Sequence, residues 1–431
     1  MTRFEYRGPL RGSLRPPSDK SISHRSALIA AMGEKDRKTE LSGYLDAADT
    51  RSTLHAVQEL GAQVHREGED DYSSLHVTGV GLRGARSNDI DVGNAGTLLR
   101  LLPGWLAGQV GGKWTLDGDE SIRRRPVDRI ADPLRRMGAN IAARENRLTP
   151  VTIEGAPLHR IAYEMPIASA QVKSCLLLAG LLADGETRVV EPLPSRDHTE
   201  RMLAAAGASI ERDGDAVVVQ PAEGLEPGPI TVPADISSAA FFIVAALLVQ
   251  GSEITLQSVG VNPTRTGLLT ILERMGAEIE RDGETEAGGE PVATLRVRSA
   301  PLQATEVGGA EVPLAIDELP LVALAACFAE GTTVIRDAAE LRRKESDRIE
   351  TVTTALNALG GKVEPTGDGM AIEGTGGLRG GTVDSHGDHR IAMLGAVAGL
   401  ASKEGVEVRG MEAAAVSYPG FERDLASLIG A

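Results

Sequence analysis

One short phrase recurs along the chain and limits what it can fold into: an amphipathic helix, a Gly-Ala or Gly-Gly stop, then an alternating strand. It reads Leu60-Gly-Ala-Gln-Val64, Met137-Gly-Ala-Asn-Ile141, Ala206-Gly-Ala-Ser-Ile210, Met275-Gly-Ala-Glu-Ile279 and Leu359-Gly-Gly-Lys-Val363. The glycines stand at 61, 138, 207, 276 and 360, so successive copies lie 77, 69, 69 and 84 residues apart. That period exceeds a solenoid repeat, and each copy must hold helices and strands together. The glycine ends a helix where the backbone needs positive φ. Charged Asp-Gly hairpins are expected after several copies, at Asp213-Gly214 and Asp282-Gly283, with a further charged hairpin over residues 66–70.

A sixth copy is half visible. The helix Phe421–Ile429 ends in Gly430-Ala431, 70 residues after Gly360, where a strand should follow. The N-terminal Arg3-Phe-Glu-Tyr-Arg7 reads as that strand, which implies circular closure. Six units then give a discontinuous domain, 1–15 plus 235–431, and a continuous one, 16–234, with loop signals at Arg15-Pro-Pro17 and Glu226-Pro-Gly-Pro229. A length of 431 residues suits two domains of about 200 residues each.

Net charge is −16, which disfavours nucleic acid as a partner. No apolar run reaches the roughly 20 residues that span a bilayer. Met1-Thr-Arg-Phe-Glu5 has no apolar stretch behind its basic residue, so no leader is expected and the cytoplasm is. Cys175 and Cys327 sit in Leu/Ala-rich runs as small buried hydrophobes.

Positive charge is concentrated at helix starts. Ser18-Asp-Lys-Ser-Ile-Ser-His-Arg25 places Lys20, Ser21 and Arg25 on the first turns of a helix, capped by Ser18 or Asp19, where free N–H groups attract an anion. Asp91–Arg100 is a Gly-rich entry with Asn94 and Thr97 as cap candidates. Arg123-Arg-Arg125 precedes Pro126, Ser169-Ala-Gln171 opens an apolar helix, and Ser195-Arg196 is a similar polar entry. Asp317-Glu318 offers a helix cap or a general base. Lys344, Glu345 and Arg348 are spaced i, i+1, i+4, so Lys344 and Arg348 share a face if that segment is helical. His386 and His389 lack a third ligand at suitable spacing, so no metal site is expected. Basic groups with two carboxylates imply two bound anions and proton transfer between them.

At these residues the chain resembles the 5-enolpyruvylshikimate-3-phosphate synthase family, with the motifs in family order over nearly the whole length. The resemblance implies an α/β fold of two domains, each of three βαβαββ repeats in an inside-out, barrel-like arrangement, with the active site in the interdomain cleft. It implies a cytoplasmic, monomeric transferase of aromatic amino acid biosynthesis. That enzyme moves the enolpyruvyl group of phosphoenolpyruvate to the 5-hydroxyl of shikimate 3-phosphate through a tetrahedral intermediate, without cofactor. Carried over residue by residue, Lys20, Ser21, Arg25, Ser169, Ala170, Gln171, Arg196, Asp317 and Lys344 would hold shikimate 3-phosphate. Lys20, Gly96, Arg125, Gln171, Arg348 and Arg390 would hold phosphoenolpyruvate. Asp317 would take the hydroxyl proton and Glu345 would serve the methylene carbon, with Lys20 a second candidate for that proton traffic.

Val416 stands where some members carry a lysine. Gly96 stands where glyphosate-tolerant members carry alanine, so glyphosate inhibition is expected although Ser169-Ala-Gln171 belongs to the branch that includes tolerant enzymes. The alternative acceptor is UDP-N-acetylglucosamine, but that family uses a Cys before its Arg-Pro motif and Asp119–Arg125 has none. An RNA-end-processing enzyme lacks support from the acidic charge. A non-catalytic anion-binding module lacks a use for Asp317 and Glu345.

Overall fold

The computed structural model describes residues 1–67 and 74–429. The charged hairpin expected over 66–70 and the Gly430-Ala431 stop fall wholly or partly outside them. The chain forms two compact units: Met1–Pro17, Pro233–Thr285 and Pro291–Ala431 in one, Ser18–Val232 with Glu286–Glu290 in the other. The crossings fall at Pro17/Ser18 and Val232/Pro233, whereas the loop signals pointed to 15/16 and 234/235. The two segments are tied where Asp235 N donates to Pro17 O at 2.8 Å.

Each complete repeat builds a four-stranded sheet of one pattern. In Asp89–Asp91, Lys113–Asp117, Leu148–Glu154 and Asn140–Arg144, the first pair is parallel and the next two pairs are antiparallel. The helix Gly96–Leu106 makes the parallel crossover and the helix Asp128–Arg136 leads to the edge strand. The other four-stranded sheets share this order. In the Ser18–Val232 unit, Ile230–Thr231 from its far end pairs in parallel with Lys38–Ser42 and closes its first sheet. In the other unit, Arg11–Leu14 plays that part beside Glu253–Gly260.

The sixth sheet has three strands, Gly381–Asp384, Val406–Arg409 and Thr2–Phe4. The N-terminal strand is shorter than the 3–7 span read from sequence, and it takes a different place. It pairs antiparallel with the second strand of its unit, Val406–Arg409, whereas the strand after a helix-stop glycine elsewhere pairs with the hairpin strand that follows it. Glycine admits it there, since a Cβ on Gly399 or Gly405 would lie 2.6 or 2.7 Å from Phe4 O.

The five helix-stop glycines all have positive φ, between 86° and 105°. Asp213-Gly214 is a hairpin turn, joining Ile210–Asp213 to Ala216–Val219. Asp282-Gly283 is not: the strand Ile279–Ala287 runs through it, and the turn comes at Gly288-Gly289, both at positive φ as a tight hairpin requires.

Three helices per unit are buried nearly all round and form its core. They are Lys20–Met32, Gly96–Leu106 and Ala170–Gly180 in one, and Ile236–Leu248, Leu319–Ala326 and His389–Ala401 in the other. With aromatics at 3% of the chain, close approach replaces bulk. A Cβ on Gly104 would sit 2.1 Å from Cys175 O, so glycine lets these two helices touch backbone to backbone. Cys175 and Cys327 are buried free thiols whose pKa values burial pushes up. Because the interior of each helix is spent on the core, its polar first turn is left to carry chemistry. Among the described residues no helix is long and apolar enough to cross a membrane.

Candidate active site

In the Ser18–Val232 unit, the candidate residues gather around three helix starts. Asp19 caps the helix Lys20–Met32 by accepting from Ile22 N at 2.8 Å. That fixes the first turn, from which Lys20 Nζ reaches Asp49 Oδ2 at 3.0 Å. Arg25 lies one turn on and is buried. Its Nε donates to Thr199 Oγ1 at 2.7 Å, Nη2 to Ser174 Oγ at 2.9 Å and Nη1 to Ser21 O at 3.0 Å. Arg196 Nη1 reaches Ser21 Oγ at 3.5 Å. Ser21, Arg25 and Arg196 therefore form one group, aimed by hydroxyls.

Ser169 caps the helix that begins at Ala170, accepting from Val172 N at 3.4 Å. Gln171 Nε2 donates to Thr97 Oγ1 at 3.2 Å, which joins that helix start to Gly96. A Cβ on Gly96 would stand 2.7 Å from Arg125 Nη1 and 3.0 Å from Arg100 Nη1, so this glycine makes room for two guanidinium groups. Arg125 has extended backbone before Pro126, as a pre-proline residue must. His24, between Lys20 and Arg25, is held neutral: burial, then Lys20 and Arg25, lower its pKa to about 3.

The other unit gathers the remaining five. Asp317 Oδ1 is 3.1 Å from Lys344 Nζ and 3.4 Å from Arg348 Nη1, and Oδ2 is 4.0 Å from Arg390 Nη2. Glu345 Oε2 accepts from Arg348 Nη2 at 2.6 Å. Behind them, Asp388 accepts from Arg348 Nε at 2.8 Å and Nη2 at 3.1 Å, a two-point clamp on a side chain that is 1% exposed. Burial alone would lower the Arg348 guanidinium, but Asp388, then Glu345 and Asp317, hold it above its ordinary value. Burial likewise pushes the Asp388 carboxyl up, and Arg348 outweighs it and leaves it below the usual range. Asp388 also caps the helix His389–Ala401 through Arg390 N at 2.9 Å, so one carboxylate aims both arginines. Arg390 Nη1 reaches Glu318 Oε1 at 3.5 Å, and Ser237 Oγ donates to the same oxygen.

Several local expectations change. Neither Asn94 nor Thr97 caps its helix: the cap residue is Ala95, and Asn94 donates instead to Asp119 at 2.7 Å. Asp317 is drawn to the cations and does not cap the helix Leu319–Ala326. Lys344 and Glu345 are not helical. A 3-10 turn ends at Arg343, Lys344 is extended, and the helix starts at Arg348 because Asp347 caps it. Val416 ends a 3-10 turn, half-buried. Sequence reasoning assigned no role to Asp49 or Arg100, offered Glu318 only as a helix cap or general base, and did not give Asp388 its role as an anchor. The available signal was a charged residue beside a motif whose own partner was unassigned.

Comparisons with known proteins identify the family of the chain. The family model described as EPSP synthase (3-phosphoshikimate 1-carboxyvinyltransferase) matches residues 4–425. A 3-phosphoshikimate 1-carboxyvinyltransferase from Alkalilimnicola ehrlichii is 50% identical over 417 residues, covering 96% of this chain and 92% of that one. Another, from Geobacter sulfurreducens, is 51% identical over 415 residues, with 96% and 95% covered. A solved EPSP synthase from Acinetobacter baumannii aligns with TM-score 0.87 at 42% identity, over 99% of this chain and 97% of that one. With the motifs in order, the repeat fold and matches of this extent, the chain belongs to the EPSP synthase family.

Proposed function

We propose that this chain transfers the enolpyruvyl group of phosphoenolpyruvate to the 5-hydroxyl of shikimate 3-phosphate and releases phosphate. The observation that carries the reading is Asp317, a carboxylate among Lys344, Arg348 and Arg390 with Glu345 bonded to the same Arg348. Cations this close favour the ionised, proton-accepting form of a carboxylate.

In the reading, Ser21, Arg25, Ser169, Ala170, Gln171, Arg196 and Lys344 bind shikimate 3-phosphate. Arg125, Arg348 and Arg390 bind phosphoenolpyruvate, with Gly96 lining its methylene side, and Lys20 serves both. Asp317 accepts the 5-hydroxyl proton as that oxygen bonds to C2 of phosphoenolpyruvate, while Glu345 donates a proton to C3. The product of that step is a tetrahedral ketal phosphate. Glu345 then takes a proton back from C3 as the C2–O bond to phosphate breaks, which restores the double bond. Positive charge set in advance favours the anionic intermediate over the ground state. Proton transfer and charge stabilisation suffice for this scheme, and one chain carries both sets of residues.

Acceptor choice tests the reading. With phosphoenolpyruvate present, mass spectrometry should find the enolpyruvyl ether of shikimate 3-phosphate and no product from UDP-N-acetylglucosamine. Turnover of the nucleotide sugar instead would overturn it.

A further inference from the structure

The helix Ala170–Gly180 carries one charge, and it is buried. Lys173 is 0% exposed, two residues after Gln171. Its Nζ lies 2.9 Å from Glu191 Oε2 and 2.6 Å from Glu200 Oε1. It also donates to Ser195 O at 3.4 Å. Ser195 is held from its other side too, because its Oγ donates to Glu191 Oε1. Arg212 Nη1, at the surface, stands 3.6 Å from Glu191 Oε2.

These partners flank one loop. Glu191 follows the strand Thr187–Val190, and Glu200 lies in the first turn of the helix His198–Ala205. Between them runs Pro192-Leu-Pro-Ser-Arg196, with neither helix nor strand of its own. Thr199, beside Glu200, accepts from Arg25. The loop thus delivers Arg196 toward Ser21, and its last fixed point before Arg196 is the Ser195 backbone.

A buried ammonium with two carboxylates is poor value as a stabiliser, since removing such charges from water costs several kcal/mol per ion and apolar packing would serve as well. What a buried ion pair with specific partners can supply is one defined geometry. A binding arginine needs that, because its position must hold to within about 0.5 Å.

We propose that Lys173 is a positioning residue for the shikimate 3-phosphate site: by fixing Ser195, it sets where Arg196 meets the substrate's phosphate. This rests on the reading above that Arg196 binds that substrate. Burial raises the pKa of the Glu200 carboxyl against the pull of Lys173, consistent with a pair held for geometry.

Steady-state kinetics of Lys173→Met, Glu200→Gln and Arg196→Ala, and of each of the first two combined with Arg196→Ala, test it. Lys173→Met should raise KM for shikimate 3-phosphate about tenfold, with kcat and KM for phosphoenolpyruvate within about twofold. Glu200→Gln should raise the same KM by a smaller factor. In the Arg196→Ala background neither should add anything, because the position being set no longer matters. If Lys173→Met fails to fold, as thermal melting will show, Glu200→Gln carries the test by the same comparison. Equal rises in both backgrounds, rises for both substrates, or no rise at all would overturn the proposal. Arg196→Ala alone separates the two levels: if it leaves KM for shikimate 3-phosphate unchanged, the reading of Arg196 fails and takes this inference with it. If it raises KM while Lys173→Met does not, only this inference falls.

Discussion

The two units aim their arginines by different means. In the Ser18–Val232 unit, Arg25 rests on the hydroxyls of Thr199 and Ser174 and the carbonyl of Ser21. In the other, Arg348 rests on Asp388, Glu345 and Asp317. Hydroxyls orient a guanidinium and leave its charge for a ligand, which suits a cradle for a phosphate. Carboxylates compensate the charge and add groups that accept and return protons, which suits the chemical step. In the proposed reading, the hydroxyl-held arginine serves substrate binding, and the carboxylates beside Arg348 add proton transfer to binding.

The difference can be measured, beginning where the effect is largest. Asp388→Ala leaves the buried Arg348 without its two-point partner and should cost about 3–5 kcal/mol, read as a fall in the urea midpoint. Next comes acid. The folded pKa of His24, about 3, lies below its unfolded value of 6.5, so between those limits the unfolded chain binds more protons and stability falls as pH falls. The loss from this group should be about 2 kcal/mol by pH 5. Comparing the urea midpoints of the parent and His24→Gln between pH 7 and pH 5 isolates it, and equal slopes would remove the assignment. Thr199→Val takes a hydroxyl from Arg25 and should cost only about 1–2 kcal/mol. A loss as large as that of Asp388→Ala would erase the contrast between the halves. Smallest is Gly96→Ala, which must push aside the tips of Arg125 and Arg100 and should raise KM for phosphoenolpyruvate a few-fold. We expect glyphosate to inhibit the parent and to inhibit that variant less.

Much of this was legible in the sequence for local reasons. A glycine that must take positive φ marks a helix end wherever it occurs, and all five did so. Asp19 and Ser169 announce helix starts because each accepts from a backbone N–H group three residues on. Where long-range partners compete, local reading fails. Asn94 turns to Asp119, Asp317 turns to Lys344, and Lys344 stays extended because Asp347 delays the helix. The N-terminal strand was readable as a strand, but its place in the sheet depends on glycines near residue 400 that admit it. Lys173 was hidden for the same reason: its carboxylate partners lie 18 and 27 positions on, at 191 and 200, where no helical spacing reveals them. The one local hint was a lysine in a mostly apolar helix.

The most direct test of the account measures phosphate released from phosphoenolpyruvate with and without shikimate 3-phosphate, for the parent chain and for Asp317→Asn. The parent should release phosphate only when the acceptor is present, and Asp317→Asn should lose at least about a hundredfold in kcat with far smaller changes in either KM. Release that ignores the acceptor, or full turnover by Asp317→Asn, would contradict the assignment of proton transfer to the carboxylate-bearing half.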